Sequence, residues 1–218
     1  MRTIKVTGRG CLRIHPDMTR IYIVLEGVYP EYSTALEHSA NDTNQLKKIL
    51  LPLGFERSDL KTIAFNIDTE YESYREDDVY KQRLIGYKYR HQFKIEFDSD
   101  NERLGKILYA LANCELHPEF SLSYTVKDIE AVKNALLGKA VSDSREKAVI
   151  LTDAAKVKLG DIQQIDYSWG EIDFEVRPMN RCFNSEDRFL AKPASYSIDI
   201  EPDDIEVEDT VTVIWEIH

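Results

Sequence analysis

From Ile85 to Phe97 the chain alternates without a break. Ile85, Tyr87, Tyr89, His91, Phe93, Ile95 and Phe97 hold the odd positions; Gly86, Lys88, Arg90, Gln92, Lys94 and Glu96 hold the even ones. A period of two places the first set on one face of a pleated strand and the second in water. At roughly 3.3 Å per residue this strand is about 40 Å long, enough to be the spine of a sheet. Ile63, Phe65, Ile67, Thr69 and Tyr71 alternate just before it, across the acidic Glu76-Asp77-Asp78 loop. The two runs predict a long hairpin. Its wet face sets Asp68, Glu70 and Glu72 opposite Lys88 and Arg90, pairs that contribute roughly 0.2–1 kcal/mol each and tune register more than stability.

Other segments follow the same logic. Ile4 to Gly10 reads as a short strand ending in glycines, followed by a turn around His15-Pro16-Asp17. Met18 to Val28 is apolar at Ile21, Ile23 and Leu25 and again at Tyr22, Val24 and Val28, the mark of a strand covered on both faces. Pro30 opens a helix whose stripe is Ala35, Leu36, Ser39, Ala40, Thr43, Leu46 and Leu50, with Lys47 and Lys48 suiting its C-terminal end. Ser99 or Asp100 caps a shorter helix bearing Leu104, Ile107, Leu108 and Leu111. Phe120, Leu122 and Tyr124 form a strand, and a helical stretch runs from about Asp128 to Leu159, with Gly160 after it. Its apolar seam is interrupted by Ser142 to Lys147, which predicts a bend or a turn projecting past the sheet. Ile162 to Trp169 and Val211, Val213, Trp215 and Ile217 are the last strands.

These elements predict an α+β fold, a long antiparallel-rich sheet with helices packed on one face. One domain covers residues 1–218: an α+β core at 1–169, an irregular segment at 170–208 and a C-terminal strand at 209–218 returning to the sheet. An aperiodic stretch of about 40 residues is uncommon inside a compact domain, so this one is expected to pack on something, such as a neighbouring subunit.

Composition narrows the classes. The 218 residues are 43% hydrophobic and 31% charged, with a net charge of −11. That balance argues against nucleic acid and anionic lipid as partners, which demand a basic face. No run of about 18 apolar residues is present to form a membrane span. The opening Met1-Arg2-Thr3-Ile4-Lys5-Val6-Thr7 alternates like a strand instead of forming a signal's apolar core, which predicts a cytoplasmic protein. Cys11, Cys114 and Cys182 are odd in number and far apart, and read as reduced, passively buried thiols.

Candidate chemistry is sparse. Gly8-Arg9-Gly10 precedes a strand instead of a helix N-terminus, so it reads as a tight turn or bulge and not a phosphate loop. Glu70, Glu72, Glu76, Asp77 and Asp78, and again Asp203, Asp204, Glu206, Glu208 and Asp209, offer oxygens for a hard cation but lack calcium-loop spacing. A solvated tip that discourages strand aggregation is the favoured reading. His15, His38, His91, His117 and His218 have no metal-ligand spacing. His91, on the apolar side of the spine, reads as a core histidine bonded to a carbonyl or to Tyr87 or Tyr89. Asn41-Asp42-Thr43 matches a glycosylation acceptor by accident, inside a helix. No catalytic, cofactor-binding or metal residue is assigned.

The ordered set of short pieces resembles the SIMPL-domain family, that of the bacterial periplasmic immunogenic and oxidative-stress-defence proteins. Ile4-Lys5-Val6-Thr7-Gly8-Arg9-Gly10 and then Pro16-Asp17 resemble its opening. Gly54-Phe55, Asp59-Leu60-Lys61-Thr62 and Gly86-Tyr87 follow in order. Ala140-Val141, Arg145-Glu146-Lys147-Ala148 and Lys158-Leu159-Gly160 resemble its helix, and Val211-Thr212-Val213 to Glu216-Ile217 its final strand. Cys114-Glu115-Leu116-His117-Pro118-Glu119 stands where the family commonly has a glycine-rich turn. The resemblance implies self-assembly, in some relatives as rings, and a link to oxidative stress without a settled mechanism. The expectation is a non-enzymatic, stress-related homo-oligomer. The alternative is a module that binds a protein partner or small ligand; a thiol-based peroxide scavenger using Cys11 or Cys114 ranks third.

Overall fold

The computed structural model describes residues 2–76, 79–168, 170, 172–177 and 200–218. Among these, three α-helices and seven strands alternate as β1 (Arg2–Ile14), β2 (Met18–Tyr29), α1 (Tyr32–Leu50), β3 (Lys61–Glu76), β4 (Val79–Asp98), α2 (Asn101–Ala112), β5 (Glu119–Thr125), α3 (Ile129–Ala154), β6 (Leu159–Asp166) and β7 (Ile205–Ile217). The α+β class is as expected, but the strands divide between two sheets, ordered β1-β7-β6 and β3-β4-β2-β5. The chain correspondingly forms two compact units.

The first unit comprises Met1–Asp17, Thr125–Val176 and Pro202–His218. β1 and β7 pair antiparallel along their whole lengths, from Arg2↔Ile217 to Ile14↔Ile205, and β6 pairs with the other edge of β7. The glycines expected to end the first strand lie inside it. A Cβ on Gly8 would stand 1.9 Å from the carbonyl oxygen of Ala140, and one on Gly10 2.2 Å from that of Leu136. Gly8-Arg9-Gly10 is therefore neither a turn nor a phosphate loop: its glycines let α3 lie directly on the strand backbone.

The same contact explains α3. Its buried positions Leu136, Ala140, Ser144, Ala148 and Thr152 recur every four residues along one uninterrupted helix. Ser144, which looked like a break in the seam, donates its hydroxyl to the Val6 carbonyl at 3.3 Å, and Thr152 bonds back to the Ala148 carbonyl at 2.9 Å. Small side chains fit where helix and strand backbones nearly touch, and these bonds offset the cost of burying hydroxyls. Asp128 caps the helix by accepting from the Ala131 amide at 2.8 Å. Val6, Val211, Val213, Trp215, Ala140 and Ala148 form one core cluster; Leu136, Val126, Phe174, Ile205 and Val207 form another.

Of the described residues, the second unit comprises those of Met18–Tyr124 together with Arg177, Ile200 and Glu201. Ile21, Ile23 and Leu25 of β2 and Tyr89, Phe93, Ile95 and Phe97 of β4 meet Leu46 and Leu50 of α1 and Leu104, Ile107 and Leu111 of α2. Alternation along β4 holds from Tyr87 onward. It fails at Ile85, expected on the core face, which is exposed. The register explains this: Glu70 pairs with Gly86 but Tyr71 pairs with Leu84, so Ile85 is the extra residue of a bulge. Beyond it the parity reverses, and Leu84 takes the face that Tyr87 occupies on the other side. Asp100, not Ser99, caps α2 by accepting from the amides of Glu102 and Arg103. The C-terminal strand, expected at 209–218, spans Ile205–Ile217 and so begins four residues earlier. Cys182, Asp77, Asp78 and most of the expected irregular segment lie outside the described residues.

Candidate functional site

The β3–β4 hairpin outruns its sheet. The registered pairs of β2 with β4 end at Tyr29↔Tyr87, whereas β3 and β4 continue together to Glu76↔Val79. The last part, about seven residues a strand and roughly 23 Å long, is a two-stranded ribbon. Every described side chain from Tyr71 to Arg75 and from Val79 to Ile85 is exposed. Residues paired across the ladder share a face. Tyr71 opposite Leu84, Ser73 opposite Gln82 and Arg75 opposite Tyr80 make one face; Glu72 opposite Arg83 and Tyr74 opposite Lys81 make the other.

The two faces differ in chemistry. On the second, Arg83 Nε donates to Glu72 at 2.8 Å and its guanidinium sits 5.8 Å from the Tyr74 ring centre. The first continues the odd positions of β3, and so joins Phe65 and the α1 side of the sheet. There Tyr32 meets Tyr87 edge-on, with ring centres 5.8 Å apart. Asp68 stands directly opposite Lys88, as expected, but Glu70 faces Gly86 and the close ion pairs take other partners: Glu72 pairs with Arg83, and Glu26 of β2 bonds Lys88 at 3.2 Å and Arg90 at 3.0 Å.

His91 sits beside this surface. Its Nε2 lies 3.0 Å from Thr62 Oγ1, and its Nδ1 lies 3.3 Å from both Ser39 Oγ and Thr43 Oγ1. Its partners are thus hydroxyls from α1 and β3, not the expected carbonyl, Tyr87 or Tyr89. Burial, with the nearby Lys47 charge adding to it, pushes the imidazole below its ordinary value and favours the neutral ring. An open cavity of about 320 Å³ lies over it, walled by Leu36, Ala40, Thr43, Asn44 and Phe65. Tyr89 instead donates to Asp42, and its phenol is pushed well up, first by burial and then by that carboxylate. Asp42 thereby has a structural role inside α1, as does Thr43, which donates to the Ser39 carbonyl at 2.7 Å.

The remaining candidates are dispersed. His38 stacks on Tyr29, with ring centres 4.1 Å apart. His15 faces Asp204 at 3.4 Å, and His218 lies 4.0 Å from Glu216. Glu206 and Glu208 pair with Arg13 and Arg9 across the β1–β7 ladder, and Asp209 accepts from the Tyr167 hydroxyl at 2.8 Å. Those acids are committed to cross-strand partners. Among the described residues no three histidine, cysteine or acidic groups gather as a metal site. Cys11, expected to be buried, is exposed, because it falls on the face of β1 opposite α3. Cys114 is half-buried and donates its thiol to the Leu111 carbonyl. No described helix is long and apolar enough to cross a membrane.

Sequence periodicity missed the ribbon's exposure because alternation reports which residues share a face and not where β2 stops pairing. Charge on both faces of residues 72–83 was the available sign, since a ribbon wetted on two sides carries polar groups on both.

Two antiparallel sheets, α3 lying on the glycines of one and α1 and α2 packing in the core of the other, define an α+β protein with a projecting ribbon. The sequence pattern of the SIMPL family, described as a protein of unknown function (DUF541), matches residues 4–215. The chain belongs to that family. It is also similar to the 26 kDa periplasmic immunogenic proteins of Brucella melitensis biotype 1 and Brucella abortus strain S19. Each is 26% identical over 98% of this chain and 84% of the relative. These relatives overturn the cytoplasmic placement expected from the sequence: both carry periplasmic names. Strand-like alternation at the N-terminus reports local structure and carries no information about compartment.

Proposed function

We propose that this SIMPL-family chain is a periplasmic, non-enzymatic protein that works through self-association. The supporting observation is the ribbon. An isolated two-stranded hairpin is marginal in water, and one that exposes Tyr71, Tyr80 and Leu84 on a single face gains by being covered. The polar groups of the kind catalysis uses are held in structural bonds: His91 by three hydroxyls, Asp42 by Tyr89, and Glu206 and Glu208 by arginines. The compartment follows the Brucella relatives. A stress-related role for the assembly follows the family resemblance, with the exposed Cys11 thiol more open to an oxidant than Cys114, the other described cysteine.

Sedimentation equilibrium of the full chain at micromolar concentration tests the central point. Association that rises with concentration is expected; a monomer throughout overturns it. Osmotic-shock fractionation of the source bacterium tests the compartment, the protein being expected in the released fraction. One observation favours a second reading, a small-ligand module: the open cavity of about 320 Å³ over His91. A ligand that quenches titration of His91 in proton NMR while leaving the mass unchanged would favour that module over assembly.

A further inference from the structure

Six exposed apolar residues of the second unit share one side of it. On the face of the ribbon that continues onto α1, Tyr80 is 78% exposed, Tyr71 54%, Tyr32 53%, Leu84 50%, Leu36 46% and Phe65 40%. With a fully exposed aromatic side chain presenting about 200 Å², these six offer roughly 600 Å² of surface. That is the upper end of what a monomer leaves open. We propose that this face packs against the same face of a second copy, about a two-fold axis near Thr69. The proposal rests on the self-association reading and adds which surface is used and how the copies are related.

Area and pattern select the partner. One patch of roughly 600 Å² covered by its own counterpart removes about 1,200 Å² in all, the lower bound of a stable, specific interface. A partner that supplies less apolar area falls below that bound. Among the described residues the remaining exposed apolar side chains are spread over several elements, among them β2, β3, β5, α2, α3, β6 and the opposite face of the ribbon, where Tyr74 and Val79 lie, and none of these sets matches six residues on one side. The same patch is the counterpart of matching extent, and a surface that meets itself does so about a two-fold axis. The opposite face competes poorly, because covering it would desolvate the Glu72–Arg83 pair and Lys81, whereas the proposed face carries a single charged residue of the ribbon, Arg75. Thr69 pairs with Tyr87 midway between Tyr80 and Phe65 along this face, so the axis falls there. The small, exposed Thr69 leaves room for the two ribbons to approach.

The test uses the full chain. Leu84→Glu and Tyr80→Glu, exposed on the proposed face, are expected to weaken association at least about tenfold in sedimentation equilibrium, while Tyr74→Glu on the ion-paired face leaves it within about twofold. In a chain whose Cys11, Cys114 and Cys182 are replaced by serine, Thr69→Cys should form a disulfide-linked dimer on mild oxidation. Asp68→Cys, on the other face, should not. Far-ultraviolet circular dichroism confirms that each variant is folded. If the wild-type chain is monomeric, the self-association reading and this surface fall together. If it associates but Tyr74→Glu dissociates it while Leu84→Glu does not, or Asp68→Cys cross-links as readily as Thr69→Cys, assembly stands and this face is wrong.

Discussion

Replacing Gly8 by alanine adds one methyl group where helix and strand backbones nearly touch. The new Cβ would stand 1.9 Å from the Ala140 carbonyl oxygen, 2.4 Å from the Ser144 amide nitrogen and 2.8 Å from Ser144 Cβ. Two of the three are backbone atoms of α3, so no rotamer change relieves them. Ordinary van der Waals contact begins near 3.4 Å, so α3 must retreat by about 1.5 Å from β1. Overpacking of this kind costs typically 1–3 kcal/mol. The retreat also stretches the Ser144 hydroxyl bond to the Val6 carbonyl, already 3.3 Å, at about 1 kcal/mol. Against this, alanine lowers the entropy of the unfolded chain by roughly 0.4–1 kcal/mol. The net expectation is a loss of about 2–3 kcal/mol. Urea denaturation followed by the fluorescence of Trp215, buried in the first unit's core, reads it, with Trp169→Phe as the shared background. Gly138→Ala on the same helix is the control: nothing lies within 4 Å of its Cβ, and it should stabilise by about 0.5–1 kcal/mol. A Gly8→Ala chain within about 0.5 kcal/mol of wild type would refute the close-contact account of this motif.

Three further outcomes follow from particular groups. His91 is held neutral in the folded state, so the unfolded chain binds more protons; stability should fall as pH drops below about 6.5 and level off beneath the lowered folded value, and His91→Gln should flatten that part of the profile. Native-state alkylation with peptide mapping should label Cys11 before Cys114, because Cys11 is exposed on β1 while Cys114 is half-buried and bonded to Leu111; equal rates would contradict the placement. Tyr89→Phe should cost the second unit roughly 1–2 kcal/mol by removing the donation to Asp42, and an unchanged urea midpoint would show that this bond contributes nothing.

Local pattern carried a great deal. Period-two alternation placed the β3–β4 hairpin and the core face from Tyr87 to Phe97, because neighbouring residues on a pleated strand must face opposite ways. Three- and four-residue spacing placed α1 and α2, and the sequence left Ser99 or Asp100 as the α2 cap, which the structure resolved to Asp100. Family membership was legible for a similar reason: its pieces lie in order along the chain.

What periodicity cannot encode is contact between segments far apart in the chain. β1 joins β7 across about two hundred residues, and that pairing decided that the strands form two sheets. Only the tertiary contact turned Gly8 and Gly10 from a supposed turn into the floor beneath α3, and made Ser144 part of a buried seam. The same contact put Cys11 on the open side of β1. The Ile85 bulge and the end of β2 at Tyr29 settled which ribbon residues share a face and which meet water. A side chain's burial depends on what lies across from it, and the residues that lie across are supplied by the fold, not by the neighbours in sequence.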